Sequence, residues 1–132
     1  MRKIKVTVEK TATGFSAYTD DFPGVISTGR NWDEMKENFS EAFQFHLEGL
    51  KEDGEEMPQD YSLEFSLEFS LDVSQFFEYY TIFNVSALAK YLKINPQLLH
   101  QYKDGHKSVS EKTSLKILNG VHRFAEELLS SV

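Results

Sequence analysis

No cysteine occurs among the 132 residues, which excludes a disulfide framework and any zinc site built on thiolates. No apolar run approaches the ~20 residues that a bilayer-spanning helix requires. The opening Met1-Arg2-Lys3-Ile4-Lys5-Val6 alternates where a secretion signal would run apolar. Together these features predict a cytoplasmic protein with no membrane partner. The H-E-x-x-H, G-x-S-x-G and phosphate-loop spacings are also missing, so no catalytic, metal or cofactor site is expected from motifs. Basic charge is short as well. There are 14 Lys and Arg against 21 Asp and Glu, a net charge of −7 that argues at first against nucleic acid.

What is present changes that reading. Residues 1–70 carry 15 acidic and 7 basic side chains, a net −8, while residues 71–132 carry 6 and 7, a net +1. The acid sits in the front half, and the rear half, with His100, His106 and His122 in addition, tolerates a polyanion. The plainer alternative is that both halves are solvated faces of one domain. With 40% hydrophobic residues the chain buries enough apolar surface to offset its entropy. Its 11 Phe and 6 Tyr make that core largely aromatic.

Lys3 to Glu9 alternates with period two and is rich in β-branched residues, the pattern of a half-buried strand. Thr11 to Gly14 is a turn, and Phe15 to Thr19 resumes the alternation to close a hairpin. Asp20-Asp21-Phe22-Pro23-Gly24 reads as a loop, and Val25 to Gly29 as a short third strand. Asn31 caps the clearest helix, with Glu34 three residues on as in a capping box. Its apolar stripe is Trp32, Met35, Phe39, Ala42, Phe43, Leu47 and Leu50. Gly54 stops this helix and Pro58 forbids its resumption. Tyr61 to Asp72 alternates strictly, a fourth strand. The front half is thus β-β-β-α-β, an antiparallel sheet with a helix over one face.

From Asp72 the period switches to helical. Asp72 caps a helix with Phe76, Phe77, Tyr80 and Phe83 on its apolar side. Ser86 caps a short one to Leu92, and Asn95-Pro96 opens a third, to Lys103, that ends at Gly105. Ser108 or Ser110 caps a longer one through Leu129. The two short helices lie about three residues apart, with Ile94 as a plug in the turn and Leu88, Leu92, Leu99 and Tyr102 inward. Gln97, His100, Gln101 and Asp104 then share the outward face of the third helix. A Gln bonds adenine in bidentate fashion in the major groove, Asn95 is placed to meet a phosphate, and Lys103 and Lys107 add phosphate contacts. A solvated face in a plain bundle is the competing reading.

Residues 85–121 resemble the Xre/Cro-like helix-turn-helix of phage-type repressors, in Leu88-Ala89, Leu92, Ile94, Asp104-Gly105 and the Ser110 to Leu118 return helix. The resemblance puts base reading on Gln97 and Gln101 and the cap on Asn95. It departs at Lys93, where that family usually has Gly, and at Pro96, where many relatives have Gln. The front half resembles the HicB antitoxin domain in Gly14 to Tyr18, Asp21-Phe22-Pro23-Gly24-Val25-Ile26-Ser27-Thr28-Gly29, and the Asp33-Glu34 helix start. It departs at Val25, where Cys is common, and at Met35, where Ala usually follows Glu.

This resemblance implies an α+β protein with two domains. Residues 1–70 would form a partial RNase H-like domain that binds a small HicA-like toxin, an mRNA interferase. Residues 71–132 would form an all-α helix-turn-helix domain that binds operator DNA as a homodimer or higher homo-oligomer. An acidic front half suits a basic, RNA-binding partner, with Asp20, Asp21, Glu34 and Glu37 as candidate contacts. Two other readings stand beside it: a transcription regulator or a partner-binding or oligomerisation module without a toxin, and a metal-dependent enzyme on the RNase H-like sheet. The enzyme needs carboxylates converging on paired ions, whereas Glu9, Glu64 and Glu68 alternate opposite the apolar register. The same register leaves His46 at the edge of the helix stripe as a packing residue.

Overall fold

β1 (Arg2–Thr11) and β2 (Gly14–Tyr18) pair antiparallel, with Thr7 opposite Tyr18 and Thr11 opposite Gly14. β3 (Ile26–Gly29) pairs antiparallel with β2, placing Ile26 opposite Tyr18 and Gly29 opposite Phe15. In this computed structural model, which describes residues 2–54 and 65–131, β4 (Phe65–Leu71) completes a sheet of order β3-β2-β1-β4. The expected start of that strand at Tyr61, and the helix-breaking Pro58, lie outside the described residues. The architecture is mixed α+β. The chain divides into two compact units, Met1–Ser70 and Leu71–Val132.

In the first unit, α1 (Trp32–Glu52) lies on the sheet. Ile4, Val6 and Val8 of β1 and Ala17 of β2 are fully buried, because alternate side chains of a strand share one face. Trp32, Met35, Phe39, Phe43 and Leu47 form the facing stripe of α1, at steps of three and four. The rings pack edge-on: Phe39 and Phe69 at 5.8 Å, Phe43 and Phe65 at 5.2 Å, and Phe15 and Trp32 at 5.7 Å between centroids. Such pairs add to what area burial alone supplies.

The start of α1 is fixed twice. Asn31 Oδ1 accepts from Glu34 N at 2.8 Å, while the Glu34 carboxylate turns to Arg30 Nε at 3.4 Å. Gly29 then allows a close approach, since a Cβ there would lie 2.2 Å from Met35 N and 2.6 Å from Met35 Cα. Only glycine lets β3 run under the first turn of the helix.

The second unit holds α2 (Val73–Tyr79), α3 (Val85–Leu92), α4 (Pro96–Lys103) and α5 (Glu111–Ser130). Asp72 caps α2 through Gln75 N at 3.0 Å. That helix ends at Tyr79, earlier than its apolar pattern suggests. Phe83 lies beyond the helix and stacks back on Phe76 at 6.3 Å. The cap of α3 is Asn84, whose Oδ1 accepts from Ala87 N at 3.0 Å, in place of the expected Ser86. Ser110 caps α5 through Thr113 N.

The C-terminal ends of α3 and α4 close in the same way. Lys93 N donates to Lys90 O and Ile94 N to Ala89 O, with Lys93 left-handed at φ 58°. Gly105 N donates to Tyr102 O and His106 N to Gln101 O, with Gly105 at φ 79°. Each pair of bonds satisfies the last carbonyls of a helix and turns the chain sharply. The turn after α3 therefore forms with lysine where glycine is easier, at a cost of about 1–2 kcal/mol.

Candidate functional site

Two surfaces answer to the residues singled out above, one in each unit. In the first unit the acidic candidates separate. Asp20 and Asp21 follow β2 at the end of the sheet where Tyr18 meets Ile26. Asp21 lies 3.8 Å from Arg2, and its N–H donates to Thr19 Oγ1. Glu34 sits at the other end of the sheet, just past Gly29, engaged with Arg30. Glu37 is exposed one turn further along α1. These four side chains do not form one cluster.

The second half of α1 returns to the Asp20–Asp21 end, where Phe22 packs against Phe43 at 5.3 Å and His46 at 5.2 Å. His46 is thus a packing residue at that edge. A groove of about 350 Å³ runs there between Gly24–Ile26 and the Ala42, Phe45, His46 and Gly49 side of α1. Two large apolar side chains stand open beside it, Phe45 at 77% exposure and Ile26 at 63%. On the helix, Phe45 has Glu41 four residues before it and Glu48 three after, both exposed. An aromatic knob with acid on both sides is a contact for a partner with apolar and basic surface.

Sequence reasoning missed Phe45 and Ile26. The available signal was that Phe45 falls off the Phe39–Phe43–Leu47 stripe, and that Ile26 shares the outer face of the sheet with Tyr18. The edge beside it is partly closed to strand addition, since Asn38 Nδ2 donates to Thr28 O at 2.8 Å.

In the second unit α3 and α4 are joined by Lys93, Ile94 and Asn95 alone. Leu88, Ala89, Leu92, Ile94 and Leu99 are buried between and beneath them, with Ala89 fully enclosed at the crossing. Gln97 is exposed and Gln101 half-buried, four residues apart on one face of α4. Lys103 and Lys107 are exposed at its far end. Asn95 uses its side-chain oxygen as the cap, accepting from Gln97 N at 2.9 Å and Leu98 N at 3.2 Å. Its side-chain NH₂ keeps donor capacity for a phosphate. His100 is engaged within the unit, its Nε2 lying 3.0 Å from Ser86 Oγ and tying α4 to the first turn of α3. The face therefore presents Gln97 and Gln101 most directly, with His100 held to one side.

No group of three His, Asp or Glu side chains among the described residues is placed to hold a metal ion. No helix among them is long and apolar enough to cross a membrane.

A family model described as "HicB_like antitoxin of bacterial toxin-antitoxin system" matches residues 4–93. The chain belongs to the HicB-like antitoxin family. The match takes in nearly all the described residues of the first unit and continues through α3 to the turn at Lys93. The chain is also similar to a Haemophilus phage HP1 protein described as "Uncharacterized 14.9 kDa protein in rep-hol intergenic region". The two are 37% identical over 59 residues, 45% of this chain and 44% of that protein, so the likeness spans less than half of the relative. No solved structure matches the chain.

Proposed function

We propose that this antitoxin neutralises a small HicA-like, RNA-cleaving toxin through its first unit and represses its own operon through its second. The observation that carries the first part is the family match across residues 4–93, joined to a net charge of −8 over residues 1–70. A protein that binds RNA presents positive surface, and an acidic partner competes for that surface while steering rapid association. The docking surface in this reading is the groove between Gly24–Ile26 and α1, with Phe45 as the apolar knob seating in the toxin and Asp20, Asp21 and Glu48 as acids facing its basic rim. Glu34 and Glu37 extend the acidic side of α1 beyond this centre. We also infer that the first unit is the partial RNase H-like domain, a reading supported by the strand order β3-β2-β1-β4 with α1 following β3. The protein acts in the cytoplasm, where its toxin and operator are.

The second part rests on the α3–α4 pair. A short turn, a buried plug at Ile94 and a polar outward face on α4 are what a helix-turn-helix presents to the major groove. Gln97 and Gln101 read bases, Asn95 and the N-terminus of α4 hold a phosphate, and Lys103 and Lys107 neutralise backbone charge.

Two experiments test the reading. Co-expression with a HicA-like toxin should restore growth, and Phe45→Ala together with Asp21→Ala should weaken the rescue. Growth arrest with the folded antitoxin present would overturn the first part. A gel-shift titration on DNA upstream of the gene, at about 150 mM salt with competitor DNA, should show saturable binding that Gln97→Ala/Gln101→Ala abolishes. Binding that survives the double substitution would remove α4 as the reader.

A further inference from the structure

One side of α5 carries a row of polar and basic residues that the roles described so far leave unused. Lys112, Lys116, Asn119 and Arg123 fall at i, i+4, i+7 and i+11, on a single face of the helix. Where this row passes the end of α3 it meets Lys93, and a groove of about 560 Å³ opens between the two elements. Lys93, Lys116, Asn119 and Arg123 line it together with Leu92 and Gly120, both buried. A Cβ on Gly120 would strike the Leu92 side chain, so glycine is what lets α5 approach α3 here.

Two of the cations are held in place by neutral groups. Lys116 Nζ donates to Lys93 O at 3.2 Å. The Arg123 guanidinium lies over the Tyr91 ring, 5.3 Å from its centroid. Tyr91 is fixed in turn by its hydroxyl bond to Glu127 at 3.2 Å and by the edge-on ring of Phe124 at 5.6 Å. A carbonyl or an aromatic face positions a cation without cancelling its charge. Among the described residues, neither Lys93, Lys116 nor Arg123 is in an ion pair. Three uncompensated like charges around a concave surface focus positive potential into the groove. Their mutual repulsion is offset only when an anion enters.

We propose that this groove binds a small ligand bearing a diphosphate or triphosphate group. The planar fork of Arg123 suits two oxygens of one phosphate, and Lys93 and Lys116 act as point charges on the next. Asn119, exposed at the rim, adds an amide donor. The volume is that of a small-molecule site. Charge order along α5 limits the length of the anion. One turn beyond Arg123 the helix carries Glu126 and Glu127, at i+3 and i+4. A continuous anionic chain following the row would run onto these carboxylates, whereas a compact ligand stops short of them. Gln97, Gln101 and the first unit take no part in the groove. The proposal therefore goes beyond the antitoxin reading and does not rest on it.

The test is an NMR titration of the isotope-labelled full chain with pyrophosphate from about 10 µM to about 10 mM, with ionic strength held constant by sodium chloride. The amide signals of Lys93, Lys116 and Gly120 should move to saturation, and orthophosphate should bind about tenfold or more weakly. Arg123→Gln should weaken pyrophosphate about tenfold, and so should Lys93→Gly. The second variant removes a charge while relieving the left-handed turn, so its loss of binding is not a loss of fold. Shifts that climb without saturating would overturn the proposal, as would saturation that is equal in wild type and both variants. Double-stranded DNA of unrelated sequence forms a second arm, and its affinity should be the same for wild type and Arg123→Gln. A lower DNA affinity in Arg123→Gln, with pyrophosphate leaving the amides unmoved, would make the groove a nucleic-acid backbone contact and overturn the small-ligand proposal.

Discussion

Ser114 carries a prediction whose size follows from two bonds. The side chain is fully buried on α5. Its Oγ accepts the backbone N–H of Leu71 at 2.8 Å and donates to Ser110 O, one turn back, at 2.9 Å. Leu71 opens the second unit, so this hydroxyl ties the entry of the chain to the long helix 43 residues later. Ser114→Ala keeps the Cβ and leaves almost no cavity, but the Leu71 N–H loses its partner in a place water does not reach. A buried donor left unsatisfied costs about 1–3 kcal/mol. Alanine returns about 0.5 kcal/mol through its better helix propensity. The net loss is roughly 1–2 kcal/mol, a fall in midpoint temperature on the order of 5–15 °C for a unit of this size. Urea and thermal unfolding followed by circular dichroism, at one fixed protein concentration because association also stabilises, measure it. Ser110→Ala, which removes an exposed cap, should cost about 1 kcal/mol and serves as a comparison. An unchanged or raised midpoint for Ser114→Ala would show that the hydroxyl contributes nothing and would refute the reasoning.

Three further outcomes follow from the same geometry. Lys93→Gly relieves a left-handed lysine at φ 58° and should stabilise the second unit by about 0.5–1 kcal/mol after the entropy of glycine is allowed for, seen as a higher urea midpoint. Gly29→Ala forces a Cβ to 2.2 Å from Met35 N. Because backbone cannot yield as a side chain end does, it should cost roughly 1–3 kcal/mol, with amide chemical shifts moving at both β3 and the start of α1. His100→Ala removes the bond to Ser86 and should loosen α4 by about 1 kcal/mol, read as faster amide exchange in α3 and α4 while α1 is unaffected.

Where the fold was legible in the sequence, the reasons are local. The α1 stripe, its Asn31 cap, the stop at Gly54 and the Asn95-Pro96 start of α4 are each fixed by residues within a few positions of one another. Where reading failed, a longer-range contact decided. Asn84 and Ser86 are both capping residues; the structure uses Asn84 because Ser86 is engaged by His100, 14 residues on. Phe83 fits the apolar face of α2, but α2 ends four residues earlier and the ring returns by stacking on Phe76. Lys93 departs from the usual glycine without breaking the turn, because Ile94 is buried beneath it and Lys116 Nζ bonds its carbonyl at 3.2 Å.

Of the site residues, Gln97 and Gln101 emerge on one face because helical spacing fixes it. The acidic set was less legible. Only the pairing of Tyr18 with Ile26 and of Phe15 with Gly29 shows that Asp21 and Glu34 lie at opposite ends of the sheet. Exposure of Phe45 was legible from helical spacing, which sets it away from the Phe39–Phe43–Leu47 stripe.

The most direct measurement of the central claim is RNA cleavage by a purified HicA-like toxin titrated with this antitoxin. The account predicts that cleavage falls linearly to zero at a fixed stoichiometry, and that Phe45→Ala with Asp21→Ala raises the amount required. Undiminished cleavage with folded antitoxin in excess would contradict it.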